Sequence, residues 1–350
     1  MKKIIKVGDK EIGDGKPVFI IAEAGVNHDG DVEKAKKLID VAVEANADAV
    51  KFQTFTGEKL ASKDAFLATY HKKGAKTGES LKQLLKRLEL TFDEHKILFD
   101  YAKKKGIMCF STPFDEQSVD FLVKSGVPAI KVSSFHVTHL PLLAYISKKK
   151  LPIILSTGLS TFQEVKDAVN TIYNAGNKEL ILLQCVSNYP IEPKDANLRV
   201  MHTLEKEFNI PIGYSDHTMG FEVSLAAVAM GAKVIEKHFT LDPYAPGVDH
   251  IASLGPKELK EMISQIRNVE SAFGSSVKKV VGIEKEIRRV HRVSIVSKVH
   301  ISKGEKITED MLAIKKPGIG IPPKSIGLVV GKEAKRDIGA DRIIKLSDLK

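Results

Sequence analysis

Eight short apolar runs, each followed by a stretch with helical periodicity, constrain this chain more than any other feature of it. They are VFIIAEAG from Val18, DAVKFQT from Asp48, IMCFSTPF from Ile107, AIKVSS from Ala129, PIILSTG from Pro152, LILLQCV from Leu180, PIGYSDH from Pro211 and KVIEKHF from Lys233. Between them, segments such as DVEKAKKLIDVAVEA, TFDEHKILFDYAKKKG and TFQEVKDAVNTIYNAG place apolar residues at i, i+3, i+4 and i+7 and often end in glycine. A strand that is apolar almost throughout must be covered on both faces, which is the condition of a parallel sheet. Eight strand–helix units then predict an α/β fold of the (β/α)8, or TIM barrel, type. A doubly wound open sheet is the alternative, but no GxGxxG follows the first run, so a dinucleotide fold has little support.

The barrel accounts for residues 1–272, with KVGDKEIGDGKP (Lys6–Pro17) read as a small hairpin at its bottom. Residues 273–291, including VKKVVGIEKEIRR, read as a linker with helical content. From Arg292 to Lys350 the texture changes to short alternating strands with many Gly and Pro, which predicts a small β-rich second domain. Net charge is +10, yet the 54 Lys and Arg are interleaved with 44 Asp and Glu along helical faces, an arrangement that fits solvated helices and an anionic small substrate better than nucleic acid. Two cysteines, Cys109 and Cys185, sit in apolar runs and read as buried free thiols. The basic Met1-Lys2-Lys3 start develops no signal-peptide core, and no apolar run reaches membrane-spanning length, so a cytoplasmic protein without membrane association is expected.

Catalytic groups of a (β/α)8 barrel stand at the carboxyl ends of its strands. Here those ends are polar in every unit: Glu23 with Asn27-His28, Lys51 with Gln53, Ser111-Thr112, Lys131 with Ser133-Ser134, Ser156-Thr157-Gly158, Ser187-Asn188-Tyr189, Ser215-Asp216-His217, and Glu236 with His238. Single polar residues of this kind often cap a helix, as Ser160-Thr161 with Glu164 is expected to do, and Asp216 is as well suited to orienting a neighbour. Lys51 and Lys131 are different, because a lysine inside a central strand is costly without an anionic partner. With Ser and Thr donors around them they suit a phosphate or carboxylate, the alternative being a structural ion-pair network. His217 and His238 occupy equivalent places on the seventh and eighth strands. With Glu23 and Glu236 nearby, they read as a metal site with open positions, suited to Mn2+ or Mg2+ with Co2+ as a further option.

The ordered set AEAGVNHDGD, AVKFQT, STPF, IKVSS, STGLS, CVSNYP, GYSDHT, IEKHFTLD and PGVDHIASL resembles the sialic acid synthase family, and AIKKPGIGIPP resembles its antifreeze-like, or SAF, module. That resemblance covers nearly the whole chain. It implies condensation of phosphoenolpyruvate with an acylamino sugar aldehyde to a nonulosonic acid and phosphate, by a domain-swapped homodimer. It assigns Lys51, Thr112, Lys131, Ser134, Ser156, Ser187 and Ser215 to phosphoenolpyruvate, and His217 and His238 to the metal. Glu23 and Glu236 join the histidines as catalytic groups, while Gln53, Tyr189 and Asp249 match positions that contact the sugar. Two positions depart from the family pattern: His136 stands where a glutamate is usual, and Lys316 where an arginine precedes Pro-Gly. Both fall on sugar recognition, and Arg and Lys are not equivalent at a planar fork. A metal-dependent aldolase or isomerase, or a non-catalytic sugar-binding protein, are the competing expectations.

Overall fold

The computed structural model describes residues 4–68 and 71–350. The basic Met1–Lys3 start lies outside them. A hairpin of β1 (Ile5–Val7) and β2 (Lys10–Ile12) precedes the barrel, whose strands are β3 (Phe19–Gly25), β4 (Ala49–Thr54), β5 (Met108–Pro113), β6 (Ile130–Val132), β7 (Ile153–Ser156), β8 (Leu180–Cys185), β9 (Ile212–Asp216) and β10 (Val234–His238). Ladder hydrogen bonds run parallel in the order β5-β4-β3-β10-β9-β8-β7-β6, and β5 and β6 at its two ends lie against each other, so the barrel is nearly closed. Each predicted apolar run holds one of these strands. The open doubly wound sheet is thereby excluded.

Helices α1 (Val32–Glu44), α2 (Gly57–Leu60), α3 (Leu81–Leu88), α4 (Phe92–Lys105), α5 (Glu116–Lys124), α6 (Leu140–Lys148), α7 (Phe162–Asn174), α8 (Val200–Phe208), α9 (Glu222–Ala229) and α10 (Pro256–Phe273) alternate with the strands. Their limits follow local chemistry. Thr91 and Glu94 form a reciprocal capping box at the start of α4, Thr161 and Glu164 do the same at α7, and Gly106 ends α4 in the left-handed region. The main hydrophobic core between strands and helices includes Ile5, Val7 and Ile12 of the hairpin, each fully buried. The hairpin turn at Gly8 packs on Met108 and Pro128, at the amino-terminal side of β5 and β6, which places it at the barrel bottom.

One connection is much longer than the others. Between β4 and α4 the chain inserts α2 and α3, which pack on each other and bury Phe55, Leu84 and Leu88 with Val26 and Val248 in an apolar cluster of their own. The chain divides into two compact units, the first ending at Gly274 and the second beginning at Ser275. The second unit carries α11 (Glu284–His291), exposed along its length, and antiparallel β11 (Ser294–Ser297) and β12 (Leu312–Lys315). Its own core gathers Ile295, Ile301, Ile307, Val329, Ala334 and Ile344. Among the described residues, no helix is long and apolar enough to cross a membrane.

Candidate active site

Strand side chains alternate between the barrel interior and the layer beneath the helices. On β9 and β10 this alternation sends Ser215, Glu236 and His238 into the barrel mouth, with His217 just past β9. It sends Asp216 and Lys237 outward, where Ser224 of α9 meets Asp216. On β4, Lys51 and Gln53 turn inward, whereas Thr54 turns outward to Ser111 and to His95 of α4. The inward set from the eight strand ends lines one cleft of about 430 Å³. That cleft holds Glu23, Lys51, Gln53, Thr112, Lys131 and Ser134, and with them Ser156, Ser187, Tyr189, Ser215, His217, Glu236 and His238. Asp249 and His136 line a neighbouring hollow, which shares Gln53 and Tyr189 with the cleft. Lys316 belongs to the second unit, with its ammonium 3.0 Å from His291 Nδ1.

At the cleft floor two lysines and two glutamates alternate. Lys51 Nζ lies 2.7 Å from Glu23 Oε2 and 3.8 Å from Glu236 Oε2, and it donates to Thr112 Oγ1 at 3.0 Å. Lys131 Nζ lies 3.5 Å from Glu236 Oε1 and donates to Ser156 Oγ at 2.7 Å, while Ser215 Oγ donates to Glu236 Oε1 at 3.1 Å. All four charged groups are buried. Burial pushes the Glu23 carboxyl up to about 7, against the pull of Lys51, and the nearby Glu236 charge adds to the rise. For Glu236 burial also opposes the charge, but two flanking lysines outweigh it and hold this carboxyl below its ordinary range. With Glu23 protonated the four groups sum to one positive charge, a polarity that favours an anion.

An anion cradle extends from Lys131. Gly158 N donates to Ser134 Oγ at 2.9 Å, and a Cβ on Gly158 would collide with Ser134 Oγ and Ser187 Oγ. Only glycine lets the backbone approach these hydroxyls. Gly25, at φ +52 after a register shift between β3 and β4, likewise sits where a Cβ would press on His238, Asp249 and Glu23. Cys185 also belongs to the site, where the sequence had offered only a buried thiol. Its Sγ lies 3.6 Å from Ser134 Oγ and 3.9 Å from His217 Nδ1; burial would raise this thiol, but the His217 contact brings it down to about 7. Its position at the end of β8, two residues before Ser187, was the signal that could have revealed it.

The two imidazoles lie with ring centres 5.4 Å apart, and the Tyr189 ring is tilted against His217 at 4.1 Å. His217 Nδ1 lies 2.8 Å from Val186 O, a contact that fixes a proton on Nδ1 and leaves Nε2 as the nitrogen that could bind a cation. His238 Nδ1 is buried without a hydrogen-bond partner, 3.7 Å from Asp249 Oδ2. These features fit two ligands to one cation. Among the described residues no three His, Cys, Asp or Glu side chains gather as a metal cluster, because Glu23 and Glu236 are engaged by the lysines instead. Asn27 and His28 turn away from the mouth: Asn27 donates to Phe239 O and Ser253 Oγ, and His28 accepts from Gly30 N.

A barrel mouth of this composition has counterparts. A model of the NeuB family matches residues 38–278, and a SAF domain model matches residues 292–350. The chain is 44% identical over 337 residues to the N,N'-diacetyllegionaminic acid synthase of Legionella pneumophila, covering 95% of each. It is 39% identical to the human N-acetylneuraminate-9-phosphate synthase, covering 95% of this chain and 93% of the relative. The crystal structure of the N-acetylneuraminic acid synthetase of Leptospira borgpetersenii, in complex with citrate, superposes with a TM-score of 0.74 at 36% identity over 82% of this chain and 95% of that one. With a family model spanning most of the barrel and synthases of this kind aligned over nearly the full length, the chain belongs to the NeuB family.

Proposed function

We propose that this protein condenses phosphoenolpyruvate with an N-acylamino sugar aldehyde, giving a nonulosonic acid and inorganic phosphate. The observation that carries this reading is the pairing of two buried cations and a hydroxyl cradle with two converging imidazoles in one cleft. A trianionic enol phosphate needs the first, and a reacting aldehyde oxygen needs the second.

Lys51, Thr112, Lys131, Ser134, Ser156, Ser187 and Ser215 bind the phosphate and carboxylate and hold C3 toward the sugar. His217 and His238 would hold a divalent cation, Mn2+ or Mg2+ with Co2+ as a further option, which when bound supplies Lewis-acid chemistry at the aldehyde oxygen. The enol π pair forms the new C–C bond to the aldehyde carbon, whose C=O π pair moves onto its oxygen and takes up a proton, and C2 becomes an oxocarbenium carbon. Water adds at C2, and Glu23, poised near neutral pH, takes its proton. Glu236, lying between the lysines, balances their charge as the anion passes through. The tetrahedral C2 then breaks its C–O bond: phosphate leaves with that electron pair, and the C2 hydroxyl gives up its proton to the departing phosphate as the ketone forms. Gln53, Tyr189 and Asp249 contact the sugar.

In this reading residues 1–272 form the catalytic domain, 273–291 the linker and 292–350 the SAF module, which reaches a partner's barrel with Lys316 in a domain-swapped homodimer in the cytoplasm. Phosphoenolpyruvate carrying 18O in the bridging position tests the chemistry. Released phosphate that carries the label, formed only when both a sugar aldehyde and a divalent cation are present, is the expected result. Aldehyde consumption with unlabelled or no phosphate would instead identify the aldolase or isomerase reading, and binding without turnover the sugar-binding one.

A further inference from the structure

Two stretches at the barrel mouth stand outside the cleft and are tied to each other: residues 26–31 after β3, and residues 239–254 after β10. Asn27 Nδ2 donates to Phe239 O and to Ser253 Oγ, both at 2.8 Å, and Ser253 Oγ donates in turn to Asp249 O at 2.6 Å. His250 spans the same gap. Its Nε2 lies 3.3 Å from Asp29 Oδ1, and its Nδ1 lies 2.6 Å from Thr240 Oγ1. Asp29 is itself anchored to α1 by Lys34 Nζ at 3.0 Å.

The hydrogen-bonding chemistry of this chain has one direction. A carboxylate only accepts, so His250 Nε2 carries the ring proton, and Nδ1 accepts from the Thr240 hydroxyl. Hydroxyl, imidazole and carboxylate in that order are the parts of a hydrolytic triad. Thr240, however, is fully buried and lies outside the cleft, so no substrate carbonyl reaches its oxygen. Gly247 passes over the same ring, where a Cβ would collide with His250 Cδ2. The arrangement is built to hold a segment in place.

The group held is Asp249, the neighbour of His250 in the chain. Its Oδ2 lies 3.7 Å from His238 Nδ1, a nitrogen buried without a hydrogen-bond partner. A Cβ on Gly25 would press on both of these side chains, so they share one tight corner. An imidazole that binds a cation through one nitrogen commonly gives its other N–H to a carboxylate or a carbonyl. His217 has the Val186 carbonyl for this purpose, and Asp249 is the matching group for His238.

Resting on the cation reading above, we propose that His250 is a positioning residue. Held between Asp29 and Thr240, it sets the turn that carries Asp249, so that this carboxylate orients His238 through Nδ1 and leaves Nε2 to the cation. Asp249 then serves the cation through His238 as well as the sugar.

The test measures Mn2+ affinity by calorimetry and, separately, steady-state phosphate release. Thr240→Val keeps the shape of the side chain and removes its hydroxyl, whereas Thr240→Ser keeps the hydroxyl. Thr240→Val is expected to weaken Mn2+ binding about tenfold and to lower kcat by a similar factor, with the KM for phosphoenolpyruvate within about threefold and Thr240→Ser close to the unaltered protein. In an Asp249→Asn background the same Thr240→Val change should cost less than about twofold, because both act on His238 through one carboxylate. Asp29→Ala, at a partly exposed position, carries the same comparison if Thr240→Val does not fold. Unchanged Mn2+ affinity in the folded variants, or an equal loss with and without Asp249, would overturn the inference and leave the cation reading standing. An unaltered protein that binds no Mn2+ and turns over without it would remove the cation reading, and this inference with it.

Discussion

At the scale of single residues, the proposed reaction gives anion holding and turnover to different side chains of the cleft. Lys131→Ala removes a cation held by Ser156, Glu236 and the Val132 carbonyl, so its expected effect is a rise of at least about tenfold in the KM for phosphoenolpyruvate with a smaller loss of kcat. His217→Ala should do the reverse, abolishing turnover while phosphoenolpyruvate still binds by calorimetry. A shared structural collapse would move both quantities in both variants, which is the outcome that sinks the division of roles. Two other histidines report on the fold and not on the reaction. His28 and His95 are buried, and burial lowers them from 6.5 to about 4 and about 3. The unfolded chain therefore binds more protons than the native one between those values and 6.5. Stability is complete above about pH 6.5 and falls with acid, by up to about 1.4 kcal/mol per pH unit for each ring. Urea midpoints of His95→Gln at pH 7.5 and pH 5 should differ less than those of the unaltered protein; an equal difference would show that His95 does not carry this acid limb.

At the scale of elements, strands β9 and β10 carry the two mouth histidines and are braced from behind. Asp216 accepts from Thr218 N and Oγ1 at 2.9 and 2.8 Å and from Ser224 Oγ at 2.6 Å, and Lys237 Nζ reaches Asp216 Oδ2 at 3.1 Å and Thr218 O at 2.7 Å. Both ends of this ion pair are fully buried. Asp216→Ala would leave Lys237 buried with no carboxylate beside it, an expected loss of about 3–5 kcal/mol, whereas Asp216→Leu with Lys237→Met should recover much of it. Chemical denaturation of the three proteins decides the matter, and a double variant no better than the single would refute the pair as the cause. Much of this was legible in the sequence, because a strand period of two, once the barrel was recognised, sends Glu236 and His238 to the same side. The same alternation put His217 at the mouth beside His238, but what it did not disclose was the outward partner of Asp216, because Lys237 and Ser224 belong to other elements. The pairing of Lys51 with Glu23 was hidden for a related reason: the two belong to neighbouring strands, and register across strands is set by the closed barrel.

For the whole molecule, the division at Gly274 and Ser275 supplies the sharpest test of how the chain works as a unit. The first unit has a core continuous from the hairpin to α10, and the second has a core of its own, so neither depends on the other for apolar burial. Every residue assigned to the enol phosphate, the cation and the carboxylates lies in the first unit, while Lys316 lies in the second. If the second unit serves only as an independent module, a chain ending at Gly274 should keep full turnover. If it completes a partner's site, as proposed, that truncation should keep its thermal transition within a few degrees and still bind phosphoenolpyruvate, yet lose at least about a hundredfold in kcat/KM for the sugar aldehyde. Mixing supplies the control that a folding defect could not imitate. A full-length His217→Ala protein has an intact second unit and a dead cleft, and the truncation has the converse. Mixed dimers of the two should regain activity as subunits exchange, each truncated barrel receiving its partner's module. Absence of recovery, with exchange verified by mass, would restrict each module to its own chain or to no catalytic part at all.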